Sequence, residues 1–186
     1  MYMGSQRIIV FEGCDRVGKT NIAKALSHAT GIPTFKATSE HDAYLSSKVS
    51  KRELFLNQLR YADPRVCDLL RQTRQSVIVD RSWPSEYVYS RVMKRETDAM
   101  MLEHIDEEWS KLGAEVIVCY RTSYDGIVDD IDPNIDAPVL RELTDRYFEF
   151  AEWSKCKVHK LNVDDEDLKR ELNETFQLLK MELFFP

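Results

Sequence analysis

A chain of 186 residues with 43% hydrophobic and 10% aromatic positions can bury one sizeable core and leaves little room for a second domain. Charged residues make up 31%, and no apolar run reaches the ~18 residues that a membrane-spanning helix needs. A net charge of −6 excludes the broad basic footprint that tracks a nucleic-acid backbone, so any anionic ligand has to be held by local cations.

The opening stretch, "MYMGSQRIIVFEG", runs into an apolar strand without the basic, apolar and small-residue order of an export signal. The cytosol is the expected compartment. Arg7 to Glu12 reads as a strand stopped by glycine, and "NIAKALSHATG" follows with helical spacing and Gly31 placed as its C-cap. "IPTFKA" is expected to be a second strand. From Lys51 to Arg74 the spacing is helical with an interruption at "YADPRV", where Asp63 is suited to the N-cap and Pro64 to the first helical position.

"SVIVD" has the β-branched character of a buried parallel strand ending on an acid, and "AEVIVCY" repeats it. "KVHKLN" is a weaker fifth strand. Helices are expected at about 84–112 and 138–155, and a last one after Asp164, with Leu168, Leu172, Phe176 and Leu179 as its docked stripe. Met100, Met101, Leu102, Ile105 and Trp109 read as another helix-core stripe, and Trp153 as packing. Strands alternating with helices predict an α/β fold: a five-stranded parallel sheet flanked by helices on both faces, in one domain over residues 1–186.

Residues 122–140 depart from the rest, with five aspartates, two prolines and neither lysine nor arginine. Their irregular spacing fits no calcium loop, and a mobile, water-exposed lid over a site is the expected use. The four cysteines, Cys14, Cys67, Cys119 and Cys156, match neither a CxxC pair nor a zinc spacing and are expected to be reduced, with Cys14 a small packing residue. His28, His41, His104 and His159 share no ligand spacing either.

Gly13-Cys14-Asp15-Arg16-Val17-Gly18-Lys19-Thr20 satisfies GxxxxGK[ST], and it lies after a predicted strand and before a predicted helix, the context that pattern requires. Glycines let the backbone wrap so that its N–H groups face phosphate oxygens, and the helix N-terminus adds positive partial charge. Lys19 is expected to neutralise β- and γ-phosphate oxygens of ATP. Thr20 offers a hydroxyl to Mg²⁺, and Asp80, closing the strand "SVIVD", offers the accompanying carboxylate.

"FEGCDRVGKT" together with "VIVDRSWPSEYVYS" resembles the thymidylate kinase family, whose members pair an FEGxDxxGKT loop with a DR[YF]xxS motif. The resemblance implies a P-loop kinase fold and residue roles. Asp15 matches the loop carboxylate that contacts the acceptor sugar. Arg16 matches a loop arginine that, in one subgroup with an arginine-free lid, bridges donor and acceptor phosphates; here no lysine or arginine lies between Arg121 and Arg141. Arg81 is expected to grip the acceptor phosphate, with Lys36 as a further cation. Phe55 and Arg60 resemble the aromatic and arginine pair that holds the pyrimidine base. Ser85, Glu86, Tyr87 and Tyr89 are expected to line the acceptor pocket.

Where the family has an aromatic after Asp-Arg, this chain has Ser82 and Trp83, and "DRSWPSEYVY" also resembles the ERS motif of deoxynucleoside kinases. The expected activity is ATP-dependent phosphorylation of a deoxynucleoside monophosphate, dTMP or a related modified pyrimidine nucleotide. A deoxynucleoside kinase is the alternative, with Glu86 or Glu40 as its base. A kinase acting on DNA, disfavoured by charge, and a non-catalytic nucleotide-binding module stand behind it. The partner is a small-molecule nucleotide rather than a membrane or a nucleic acid, and a homodimer stays open.

Overall fold

Five parallel strands form the sheet in the order β2-β3-β1-β4-β5, because the apolar runs read from the sequence are buried on both faces. The structure, a computed structural model, describes residues 6–36, 58–127 and 135–182. β1 spans Ile8–Glu12, β2 Thr34–Lys36, β3 Val77–Asp80, β4 Glu115–Tyr120 and β5 Lys157–Asn162. Every residue of the central β1 is buried, whereas the edge strand β2 is exposed throughout. Strands covered on both faces need continuous apolar character, which "IIVF", "VIV" and "VIVC" supply.

Among the described residues six α-helices cover the sheet: α1 Lys19–Thr30, α2 Asp63–Thr73, α3 Trp83–Val92, α4 Ala99–Lys111, α5 Ala137–Trp153 and α6 Leu168–Leu178. α1 packs with α6, and α3 packs with α4 and α5. Trp83 of α3 stacks on Trp109 of α4 with ring centroids 4.9 Å apart, and Tyr87 meets Phe150 and Trp153 of α5 edge-on and tilted. Buried side chains of sheet and helices join into one contiguous hydrophobic cluster. Among the described residues no helix is long and apolar enough to cross a membrane.

Several local expectations are corrected. The 84–112 segment is two helices, because residues 93–98 carry no apolar periodicity, Lys94 takes a left-handed φ of 48°, and Asp98 caps α4 by accepting from the Met101 N–H. Asp63 is no N-cap: residues 58–62 form a π-helical turn that runs into α2, and the Asp63 carboxylate turns inward to accept from Ser82 Oγ at 2.7 Å. Met100 is 85% exposed while Leu102, Ile105 and Trp109 are buried. Leu168, the first residue of α6, is exposed, and Phe176 and Leu179 carry that helix's docking.

Of the 122–140 connection, residues 128–134 lie outside the described residues. At its described ends Thr122, Ser123, Asp125, Gly126, Asp136 and Pro138 are exposed, while Tyr124, Ile135 and Leu140 are buried. Thr122 is held by Asp164 through both its N–H (2.8 Å) and its hydroxyl (2.6 Å), and Asp125 pairs with Arg141 at 2.7 Å.

Candidate active site

The loop after β1 folds over the end of β4. Gly13 has φ +136°, and a Cβ built there would stand 2.2 Å from the Cys119 carbonyl oxygen. Backbone against backbone has no room to relax, so Gly13→Ala is expected to yield a chain with a disrupted loop and nucleotide affinity below detection by calorimetry. Retained affinity would show that the loop tolerates a shifted β4. Gly18 closes the loop at φ 72° and precedes α1, whose N-terminus has no side-chain cap. Uncapped N–H groups at a helix start form an anion site.

Lys19 lies inside this cradle. Its Nζ donates to the Cys14 carbonyl at 2.9 Å and stands 3.9 Å from Asp15. Burial, followed by the neighbouring Arg81 charge, pulls its pKa down to about 8. Thr20 Oγ1 donates to Asp80 Oδ2 at 2.7 Å, so the hydroxyl and carboxylate expected at a Mg²⁺ ion are adjacent. Among the described residues no cluster of three His, Cys, Asp or Glu could hold a metal by itself. An oxygen pair of this kind suits Mg²⁺, which keeps waters and takes its remaining ligands from phosphates.

Two arginines flank the cradle in left-handed backbone conformations, Arg16 at φ 64° and Arg81 at φ 69°. Non-glycine residues held there cost of order 1–3 kcal/mol each and mark sites where the surroundings impose the geometry. Arg81 is pinned by its N–H to the Phe11 carbonyl at 3.1 Å. Its guanidinium donates to Asp15 and, at 3.3 Å, to the Tyr89 hydroxyl. Burial works against its charge, yet Tyr89, Tyr147, Asp15 and Glu12 raise its pKa well above the usual value. Asp15 also accepts from Tyr89 at 3.0 Å. Burial alone raises its pKa, but Arg81 and Lys19 outweigh that and hold it below the usual carboxylate range. Asp15, Lys19, Arg81 and Tyr89 thus form one contiguous polar group at the ends of β1 and β3.

Other expected site residues lie differently. Lys36 is exposed and sits in register with Asp80 across the β2–β3 pair. Phe55 and Glu40 lie outside the described residues. The Arg60 guanidinium, half exposed, pairs with Asp98 at 2.9 Å, across the start of α4. Glu86, expected in the pocket, is buried in a two-point pair with Arg95, at 2.9 and 2.6 Å. Ser85 turns its hydroxyl to Glu12 at 2.8 Å instead. Tyr87 belongs to the aromatic packing between α3 and α5. The Cys14 thiol is buried, its pKa raised by that burial, so it packs rather than reacts.

Sequence reasoning missed Glu12. Its carboxylate is fully buried and accepts from the Ser82 N–H (2.6 Å), Ser85 Oγ (2.8 Å) and the Tyr147 hydroxyl (3.0 Å). Burial raises its pKa despite Arg81 and these donors. It fastens the turn that carries Arg81 onto β1 and α5. An acid closing an otherwise apolar strand, directly before the glycine turn, is the available signal. Asp63 completes the support from the far side of Ser82; burial lifts its pKa to about 7.

This parallel five-stranded sheet, with a glycine-bearing loop between β1 and α1, has the α/β fold of P-loop kinases. Solved structures share it along nearly the whole chain. The Bacillus subtilis YorR protein, in complex with phosphorylated GDP, matches with a TM-score of 0.63 at 18% identity over 93% of this chain and 95% of that one. The thymidylate kinase from Ehrlichia chaffeensis matches at TM-score 0.60 and 17% identity, over 95% and 100% of the two chains. The deoxyadenosine kinase from M. mycoides with bound dCTP matches at TM-score 0.60 and 20% identity, over 93% and 98%. No protein-family model matches the sequence, and no curated protein matches it.

Proposed function

We propose that the chain is a single-domain nucleotide kinase of the cytosol that transfers the γ-phosphoryl group of ATP to a deoxynucleoside monophosphate, dTMP or a related modified pyrimidine nucleotide. The observation that carries this reading is the group of charges at one sheet end, in which the buried Lys19 and the paired Arg81 and Asp15 meet beside an uncapped helix start. The four cysteines are all free and buried, in keeping with a reducing compartment.

Loop amides and Lys19 bind the donor phosphates. Thr20, with Asp80 behind it, is the residue pair that fits Mg²⁺, which when bound neutralises charge on the phosphate oxygens. Arg81 orients the acceptor phosphate, and Asp15 fixes Arg81 and faces the acceptor sugar. Arg16, at the loop's exposed turn, meets the charge that spreads over the transferring group. An acceptor that is already an ionised phosphate needs positioning and charge stabilisation and no strong base. Among the described residues the acids closest to this role are engaged, Glu12 by three donors and Glu86 by Arg95, which favours a monophosphate over a nucleoside acceptor. Turnover of ATP and Mg²⁺ against nucleosides and their monophosphates tests this. Activity restricted to monophosphates supports it, and activity on nucleosides alone transfers the chain to the deoxynucleoside kinase reading.

A pH dependence follows from Lys19. Its pKa near 8, against an ordinary 10.5, means that the ligand-free chain releases this proton on passing pH 8. Bound polyphosphate restores the higher value. Nucleotide binding is therefore expected to take up close to one proton at pH 9 and almost none at pH 7, measured calorimetrically in buffers of different ionisation enthalpy. Equal uptake at both values would place the ammonium away from the phosphates.

A further inference from the structure

The Tyr124 hydroxyl sits where three segments meet. It lies 3.1 Å from Cys14 Sγ in the phosphate loop, 3.2 Å from the Arg121 N–H at the exit of β4, and 2.7 Å from Thr144 Oγ1 on α5. Thr144 Oγ1 is also 3.0 Å from the Leu140 carbonyl.

Proton accounting orders these contacts. A hydroxyl has one hydrogen and two lone pairs. The Leu140 carbonyl can only accept, so Thr144 spends its hydrogen there and accepts from Tyr124. Tyr124 has then given its hydrogen away and accepts from both the Arg121 N–H and the Cys14 thiol. The thiol is thereby fixed as a donor, protonated, in a chain that runs from the phosphate loop through Tyr124 and Thr144 to the α5 backbone. Every member of this chain is buried or part-buried, and none is left without its partner.

Cys14 is held at its other end too, since its carbonyl receives the Lys19 ammonium at 2.9 Å. One residue therefore links the Tyr124 hydroxyl to the lysine that faces the donor phosphates. Tyr124 itself is buried to 1% exposure, in a stretch anchored by Thr122 to Asp164 and by Asp125 to Arg141. We propose that Tyr124 is a positioning residue for the phosphate loop: through Cys14 it sets the place of the Lys19 ammonium and joins the start of the 122–140 connection to the donor-phosphate cradle. This rests on the kinase reading above for its functional consequence, and on geometry alone for the tie to Cys14.

Tyr124→Phe removes the hydroxyl and keeps the ring that fills the core. Two measurements follow. In the ligand-free chain, alkylation of Cys14 by N-ethylmaleimide, located by peptide mass spectrometry, is expected to quicken at least about fivefold, the scale of one lost neutral hydrogen bond. In the same variant the ATP dissociation constant is expected to rise about five- to tenfold, with the acceptor KM unchanged, a split that general destabilisation does not produce. In a Cys14→Ala background, Tyr124→Phe is expected to add almost nothing to the loss of ATP affinity, because both substitutions break the same bond. Wild-type labelling in Tyr124→Phe, or unaltered ATP affinity, or full additivity with Cys14→Ala, overturns the proposal. If the unsubstituted chain binds no ATP, the kinase reading and the functional half of this proposal fall together, and the labelling rate still decides whether Tyr124 holds Cys14.

Discussion

Lys19→Met is expected to remove turnover and, at the same time, to stabilise the ligand-free chain. The loss of turnover should be at least about 10²–10³-fold, the scale of deleting one preorganised charge donor at a developing negative charge. The gain in stability comes from the other side of the same feature. Lys19 is only 8% exposed in its side chain, and its pKa of about 8 against 10.5, lowered by burial and then by Arg81 against the pull of Asp15 and Glu12, corresponds to a net cost of about 3 kcal/mol for the charged form at pH 7. Losing the hydrogen bond to the Cys14 carbonyl gives back about 1 kcal/mol, so the thermal midpoint should rise by several degrees at neutral pH. With the folded pKa below the unfolded one, the cost is fully present below pH 8 and relieved between 8 and 10.5. The stabilising effect of Lys19→Met should therefore shrink across that window. A midpoint that falls at pH 7 would show that Lys19 contributes more as a structural donor than it costs as a buried charge.

Arg16 allows a cleaner separation of strain from chemistry. Its φ of 64° suits glycine and strains alanine, so Arg16→Gly removes the guanidinium and the backbone cost together while Arg16→Ala keeps the cost. Both variants are expected to lose about 10³-fold or more in kcat, as for other arginines that meet a transferring phosphoryl group. They should differ in stability, with the glycine variant higher by about 1 kcal/mol. Arg16→Lys keeps the charge without the planar fork and should recover only part of the rate. Turnover near wild type in Arg16→Gly would move the role to Arg121, whose guanidinium already reaches the Arg16 carbonyl at 3.3 Å and Glu166 at 2.6 Å. Arg141 is the weaker substitute, being half exposed and paired with Asp125.

What was legible in the sequence is what depends on neighbours along the chain. The loop from Gly13 to Thr20 announces itself because a strand, a tight turn and a helix start must follow within a few residues. "VIVD" and "VIVC" declare buried strands by composition, and the sheet follows from their alternation with helices. What was illegible depends on contacts between distant segments. Glu12 meets Tyr147 from α5, and Cys14 meets Tyr124 from beyond β4; no spacing rule links such pairs. Glu86 and Arg60 look like free pocket groups in one dimension, and only folding brings Arg95 and Asp98 to them. Met100 and Leu168 fit apolar stripes, yet each sits in the first turn of its helix, where the stripe has not yet reached the core. Asp63 had the chemistry of a cap, but the π-helical turn before it rotates its carboxylate toward Ser82.

The most direct test is a crystal structure of the chain with adenylyl imidodiphosphate, Mg²⁺ and dTMP. The triphosphate should be wrapped by residues 13–18, with its terminal phosphorus between Lys19 and Arg16 and the dTMP phosphate on Arg81 in line with it. A triphosphate lodged elsewhere, or a monophosphate bound with its phosphate away from Arg81, would contradict it.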